Sequence, residues 1–169
     1  MIKEAGSEAR VRNHLSPGGS RGKYRRRLEL GKLQLDLTAE SATDLMSRGG
    51  LFAIEHPFLA SSWSHPSFAA LHRLPSVRAA VFDQRRFDLV SPAGTPMRKR
   101  TKILTNCRAI FQLFDGKLCQ CTVPHRRISG SELGIGVSRH SQRYPERMVA
   151  ALVEGFAVDS DLELVASYC

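Results

Sequence analysis

Three polar residues stand where short apolar runs end, and each is of a type that can act on or recognise a ligand. Glu55 follows Leu51-Phe52-Ala53-Ile54, Asp83 follows Ala79-Ala80-Val81-Phe82, and Asn106 follows Thr101-Lys102-Ile103-Leu104-Thr105. A carboxylate leaving a buried segment is costly unless it meets a partner or a ligand. Glu55 and Asp83, with Asn106, are therefore the candidate catalytic residues. The competing reading is a structural ion-pair network, in which Arg85, Arg86 or Lys102 holds Glu55 and a similar partner holds Asp83. His56, His65 and His72 are scattered, and a lone histidine is more often a surface or hydrogen-bonded residue than a catalyst.

A second set offers sulfur and imidazole. Cys119, Cys121 and His125, with Cys107 upstream, are zinc-ligand types. Zinc takes four ligands in a tetrahedron, and established motifs place two residues between paired cysteines where this chain has only Gln120. The spacing favours free cysteines in a reducing compartment, so no metal and no cofactor is assigned, with these three as the weak candidates. Ser61 and Ser62 lack the glycine-flanked setting of a hydrolase elbow, and Gly134-Ile135-Gly136 is an isolated fragment of a phosphate-loop pattern.

The third set is cationic. Arg98-Lys99-Arg100-Thr101-Lys102 is a dense basic run, and Arg85, Arg86, Arg126 and Arg127 extend it to a possible face. Arg25, Arg26 and Arg27 close a basic N-terminal stretch: residues 1–27 hold eight Lys and Arg against Glu4 and Glu8. The last sixteen residues carry Glu154, Asp159, Asp161 and Glu163 and no Lys or Arg. Such asymmetry suits an anionic partner, DNA or RNA held electrostatically through Arg25, Arg26, Arg27, Arg85, Arg98, Lys99, Arg100 and Lys102. Solvated loop charge is the alternative. Aromatics make up 7% of the chain and do not interleave with the basic run, so stacking on single strands has no obvious platform.

These residues need elements to position them. Ser16-Pro17-Gly18-Gly19-Ser20-Arg21-Gly22 reads as turn-rich, making residues 1–27 a basic flexible arm. Leu30, Leu33, Leu37, Leu45 and Met46 predict a helix over about 32–48, closed by Gly49-Gly50, with a strand over 28–37 as the competing reading. Strands follow at Leu51–Ile54, Arg78–Phe82 and Thr101–Thr105. Helices are predicted after Ser62 or Ser64, with Pro66 in the first turn, near Arg108–Phe114, and from Pro145 with Met148, Val149, Leu152 and Val153 inward. Residues 115–143 show no period. The sum is an α/β fold: a partial Rossmann-like sheet of about three or four strands with flanking helices, in two or three layers, over residues 28–156. Residues 157–169 form an acidic C-terminal tail. In such a sheet ligand-binding residues gather beyond the strands' carboxyl ends, so Glu55, Asp83 and Asn106 are expected at one rim.

The chain has 169 residues, 42% hydrophobic and 24% charged, with 25 Lys and Arg against 16 Asp and Glu. That length suits one domain able to bury roughly two thirds of its unfolded surface. No run of 18 apolar residues occurs, which argues against a membrane partner. The first twelve residues lack the apolar core of a secretory signal, and four cysteines do not make a disulfide scaffold, so an intracellular setting, cytoplasmic or nuclear, is expected.

Several spaced motifs resemble a known domain. Gly49-Gly50-Leu51-Phe52-Ala53-Ile54-Glu55-His56-Pro57, Ser61-Ser62-Trp63, Phe82-Asp83-Gln84, Arg98 to Asn106 and Tyr144-Pro145 together resemble an uncharacterised domain of copia-like retroelement polyproteins. The resemblance runs from about Leu28 to Phe156. It implies that the chain's partners include other parts of a longer polyprotein, where integrase and reverse transcriptase lie. More distantly, the strand-end motif is similar to the second half of cytosine DNA methyltransferase folds, which implies Glu55 facing a base and Asn106 ending a late strand.

The departures from the pattern are specific. His56 stands for Asn, Arg85 for Cys, Asp88 for a glycine, and Val123 for the first of two histidines, while Cys119 and His125 are kept. A complete methyltransferase also needs a glycine-rich cofactor loop and a Pro-Cys nucleophile, and residues 1–50 have neither. The resemblance thus implies a degenerate, non-catalytic, nucleic-acid-associated domain of retroelement origin. The alternatives are a methyltransferase-like half-domain acting through Glu55 and Asp83, and a protein-interaction or structural remnant.

Overall fold

The computed structural model describes residues 17–166, with side chains over 22–159. The chain divides into two units, Met1–Gln34 and Leu35–Cys169. The described part of the first unit is helical, the opening turns of α1 (Pro17–Ser47). Residues 17–27 are therefore not a flexible arm. Pro17 is tolerated at the first position because its missing N–H would have no partner there. The glycines at 18, 19 and 22 disfavour helix, but the Lys-, Arg-, Leu- and Gln-rich stretch that follows favours it, and extending an existing helix is far easier than nucleating one. Arg25, Arg26 and Arg27 are all exposed. Steps of about 100° per residue spread them around the helix rather than along one face. Residues 1–16 of the predicted arm lie outside the described residues.

In the second unit, α1 buries Ala39 and Ala42, flanked by Leu35, Leu45 and Met46, against Phe52, Ile54, Phe68, Leu71, Val77 and Leu104. The leucine stripe read from the sequence is only partly right, since Leu37 is exposed. Small alanines let the helix approach closely, so they, not the leucines, mark the inner face. Gly49 has φ +73°, its N–H meets Met46 O at 3.0 Å, and Gly50 N–H meets Leu45 O at 2.8 Å. This is the left-handed glycine cap that Gly49-Gly50 predicts.

The sheet has three strands in the order β1 (Ala53–Pro57), β3 (Arg100–Thr105), β2 (Arg78–Asp83), and both pairings are antiparallel. β1 and β2 thus run the same way with β3 inserted between them. α2 (Pro66–His72) lies in the connection from β1 to β2, with Pro66 in its first turn as predicted. No serine caps it: Ser64 Oγ donates to Ser61 O, and Ser62 Oγ faces His56 Nδ1, so both hydroxyls are spent in the preceding turn.

Strand pleating sends alternate residues to opposite faces. Ile54 and Leu104 face α1 and α2, whereas Ala80, Phe82 and Ile103 face α3 (Arg108–Phe114) and α5 (Glu146–Ala166). The second unit is a mixed α/β fold with helices on both sides of an antiparallel sheet. Between α3 and α5 come a two-stranded ribbon, β4 (Ser131–Glu132) with β5 (Ile135–Gly136), and the single turn α4 (Val137–His140). Elements this short leave no periodicity to read. A small cluster of Leu89, Met97 and Val137 holds this region.

α5 also corrects the sequence reading. Residues 157–166 of the expected acidic tail continue the helix, and 167–169 lie outside the described residues. Met148 is fully buried and Leu152 packs inward as expected, but Val149 and Val153 are exposed, and Ala151 and Phe156 complete the inner stripe instead. No helix among the described residues is long and apolar enough to cross a membrane.

Gly155 sets the approach of α5 to α3. A Cβ there would sit 2.6 Å from Ile110 Cγ1 and 3.2 Å from Ile110 N. In an exposed helix Gly→Ala stabilises by about 1 kcal/mol. Here Gly155→Ala is expected to destabilise by about 1–3 kcal/mol through overpacking, read from the urea midpoint. A stabilised variant would show that the two helices are not closely apposed.

Candidate functional site

The three residues expected at strand ends do not share a rim, and Glu55 lies in the middle of β1, opposite Ile103, because the strand runs on to Pro57. β3 runs opposite to its neighbours, so its carboxyl end lies at the edge where β1 begins, across the sheet from Asp83. Asn106 there receives the Phe52 N–H at 2.8 Å and donates to Gly50 O at 2.9 Å. Its amide clamps the start of β1, where the chain leaves α1, and both of its functions are used internally. Asn106 directly follows β3, the last strand of the sheet in chain order.

Asp83 is fully buried and answers to the ion-pair reading. Arg98 Nε donates to Oδ2 at 3.1 Å, Arg100 Nε donates to Oδ1 at 3.1 Å, and the Cys119 N–H donates to Oδ2 at 2.9 Å. Burial pushes the carboxyl's pKa up, but the Arg100 hydrogen bond, the Cys119 amide and the two guanidinium charges outweigh it and hold the carboxyl below the ordinary range. Asp83 is saturated, so it has no lone pair directed at a substrate.

Glu55 keeps a different company. Its carboxylate accepts from Tyr144 Oη at 2.7 Å and more weakly from Gln84 Nε2 at 3.5 Å. None of Arg85, Arg86 and Lys102 pairs with it among the described residues. Gln84 is buried, also donates to Thr101 Oγ1 at 3.1 Å, and leaves its Oε1 without a partner. Burial first, then the hydrogen bond to Glu55 and its charge, push the Tyr144 pKa upward, so the phenol stays protonated and donating. Glu55, Gln84, Thr101 and Tyr144 form a polar cluster whose members the sequence places in four separate motifs. Gln84 and Tyr144 were quoted only as parts of motifs, and nothing in their local spacing marks them as neighbours of Glu55.

The basic residues are sorted by the same accounting. Arg98 and Arg100 are committed to Asp83, and Lys99 Nζ donates to Ser141 O at 3.0 Å. Lys102 Nζ lies 4.9 Å from the Trp63 ring centre and 5.7 Å from that of Phe58. His56 packs edge-on to Trp63 and Phe68, which makes it a packed, hydrogen-bonded residue. Arg85 pairs with Asp88 at 3.4 Å. Arg98, Lys99, Arg100 and Lys102 thus each have a partner within the fold, while the Arg98 and Arg100 side chains stay 48% and 36% exposed.

Open positive charge lies elsewhere. Two adjoining hollows of about 390 and 300 Å³ share Arg86 and Arg147. Lys117 joins them in the first, and Arg85 in the second, against Glu154 and Asp88. Arg86 and Lys117 are exposed and have no ion-pair partner among the described residues.

Cys119 and Cys121 border the second hollow. Their sulfurs are 2.9 Å apart, and His125 Nε2 lies 3.4 Å from Cys119 Sγ and 3.1 Å from Cys121 Sγ. The structure brings the three candidate ligands together and leaves Cys107 apart, buried in the α3–α5 core with its thiol pKa pushed by burial to about 11. The hydrogen bond from Cys121 lowers the Cys119 thiol, and the same bond raises that of Cys121.

No protein-family model, curated protein or solved structure matches this chain.

Two substitutions test the structural assignments. Asp83→Asn is expected to cost about 2–4 kcal/mol, because two guanidinium groups lose their carboxylate while their part exposure softens the loss. The carboxyl titrates lower folded than unfolded. Its stabilisation is therefore complete above the unfolded value of about 4 and drains as pH falls through the folded one. The variant should show a shallower acid limb in its stability–pH curve, and an unaltered limb would refute the assignment. Asn106→Ala is expected to cost about 1–3 kcal/mol by orphaning the Phe52 amide and the Gly50 carbonyl. Its thermal midpoint checks this, and an unchanged midpoint would speak against the clamp.

Proposed function

We propose that this chain is a retroelement-derived, non-catalytic domain that associates with nucleic acid in the cytoplasm or nucleus. The observation that carries the reading is the pair of hollows lined by Arg85, Arg86, Lys117 and Arg147. Of these, Arg86 and Lys117 are not neutralised within the described fold. Thirteen of the chain's Lys and Arg lie between Arg85 and Arg147, against four acidic residues. After the internal pairs are set aside, exposed guanidinium groups still outnumber carboxylates over this stretch. Phosphates satisfy such groups without base readout, by releasing condensed counterions.

A methyltransferase-like half-domain is the second reading. It is favoured by the meeting of Glu55, Gln84 and Tyr144 and by the split βαβ arrangement in which β1 and β2 run alike around β3. Asp83 has no place in this version, since its oxygens are occupied. Binding of a labelled methyl donor that disappears in Glu55→Gln would establish the second reading over the first.

The primary test is a salt titration of oligonucleotide binding followed by fluorescence anisotropy. Affinity for duplex DNA or for RNA is expected to fall steeply with salt. Arg86→Gln and Lys117→Gln should each reduce the slope of log K against log salt by about one, with thermal stability unchanged. Binding that ignores salt, or a slope that neither substitution moves, would reject the proposal.

A further inference from the structure

We propose that Cys119, Cys121 and His125 form a three-ligand site for a zinc-type divalent cation, bound through two thiolate sulfurs and His125 Nε2. The inference stands apart from the nucleic-acid reading and uses none of its residues as ligands.

The donor set comes first. Two sulfurs and an imidazole nitrogen suit a borderline-soft ion such as Zn²⁺ and exclude the oxygen-seeking Ca²⁺ and Mg²⁺. The geometry comes second. All three donor atoms lie within 4.8 Å of one another. A tetrahedral zinc at about 2.3 Å from sulfur and about 2.1 Å from nitrogen holds its sulfurs roughly 3.8 Å apart and each sulfur roughly 3.5 Å from nitrogen. The observed separations of 2.9, 3.4 and 3.1 Å lie just inside those edges. Loading the ion needs the donors to part by under about 1 Å, which rotation of the side chains supplies. All three donors come from one seven-residue stretch, Cys119 to His125, outside any helix or strand. No second element has to move.

Support for the loop comes from below. The Cys119 N–H is held at 2.9 Å by the buried Asp83 carboxylate, which fixes the first ligand's backbone. Cys121 is exposed, and Cys119 and His125 are half-buried, so an ion can enter from solvent. No fourth Cys, His, Asp or Glu among the described residues shares the same compass. The fourth position therefore falls to water, which is the open coordination that three protein ligands leave. Reading the sequence by motif alone points away from this site, because the usual two-residue spacing serves four-ligand structural sites. A Cys-x-Cys-x-x-x-His loop instead places three donors on one side of a single turn of chain.

The test uses the full-length chain, reduced and then freed of reductant under argon, titrated with Co²⁺ as probe. A thiolate-to-cobalt charge-transfer band saturating at one equivalent, with visible bands of tetrahedral intensity and bleaching on addition of Zn²⁺, is the expected result. Cys119→Ser, Cys121→Ser and His125→Ala should each weaken Zn²⁺ binding by more than about a hundredfold, the upper range for losing an outer-shell group alone. Circular dichroism establishes that each variant is folded. Zn²⁺ should also raise the thermal midpoint of the native chain and not that of the variants. Absence of the charge-transfer band in the reduced chain overturns the proposal, as does a band that survives in the folded Cys119→Ser variant. A chain that takes up no metal and in which mass spectrometry finds the two thiols joined as a disulfide overturns it equally.

Discussion

A carboxylate with no access to water sits at the point where three separate stretches of this chain meet. Taking Asp83 out of solvent costs several kcal/mol, and only a full complement of donors offsets that. Arg98, Arg100 and the Cys119 amide supply it. The end of β2, the residues that lead into β3 and the loop after α3 are thereby fixed to one another by charge-assisted bonds whose geometry is directional. Apolar packing on either side of the sheet would tolerate small slips among these segments. The Asp83 cluster would not, because any slip strands a buried charge.

Much else is set by that arrangement. Because β3 enters at Arg100 beside the carboxyl end of β2, it must run back along the sheet and deliver Asn106 to the far edge. Because Arg98 and Arg100 are bound to Asp83, the most conspicuous basic run in the sequence has part of its charge neutralised within the fold. Of the unpaired cations in the two hollows, Arg86 belongs to the expected cationic face, whereas nothing in its local sequence marks Lys117. Electrostatic patterning along a chain reports where charge is, and the fold decides how much of it is left over.

The division between what was legible and what was not follows the range of the interactions. The three core strands, α3 and the glycine stop after α1 are written in local pattern, and they stand within three residues of where periodicity and turn chemistry place them, β1 being the one displaced furthest. The clustering of Cys119, Cys121 and His125 is also local, a matter of seven residues. The antiparallel pairing of β2 with β3 follows from their connection without a crossover helix, but the insertion of β3 between β1 and β2 is not local, since alternation of apolar residues says nothing about strand order. The same limit hid the Glu55–Tyr144 bond, which joins residues 89 apart, and the identity of Asp83's partners. At α1 the misreading had another cause. The eye goes to leucines, whereas close packing on the sheet selects Ala39 and Ala42, and the leucine at 37 is left outside.

The thiol–imidazole loop and the basic hollow adjoin, and their electrostatics bear on whether both can operate. Two free thiolates beside Arg85, Arg86 and Arg147 would cancel much of the field that attracts phosphate. A divalent ion bound by the same two thiolates and a neutral imidazole carries no net charge, because the two negative sulfurs balance the ion. Coordination would therefore lock the loop while leaving the hollow positive. The backbone tie from Cys119 to Asp83 makes the locking mutual: ordering the loop lowers the entropy cost of holding the amide on the carboxylate, and the carboxylate in turn presents the first ligand. The proposed anion-binding face and the proposed soft-metal site are thus electrostatically compatible along one edge of the domain.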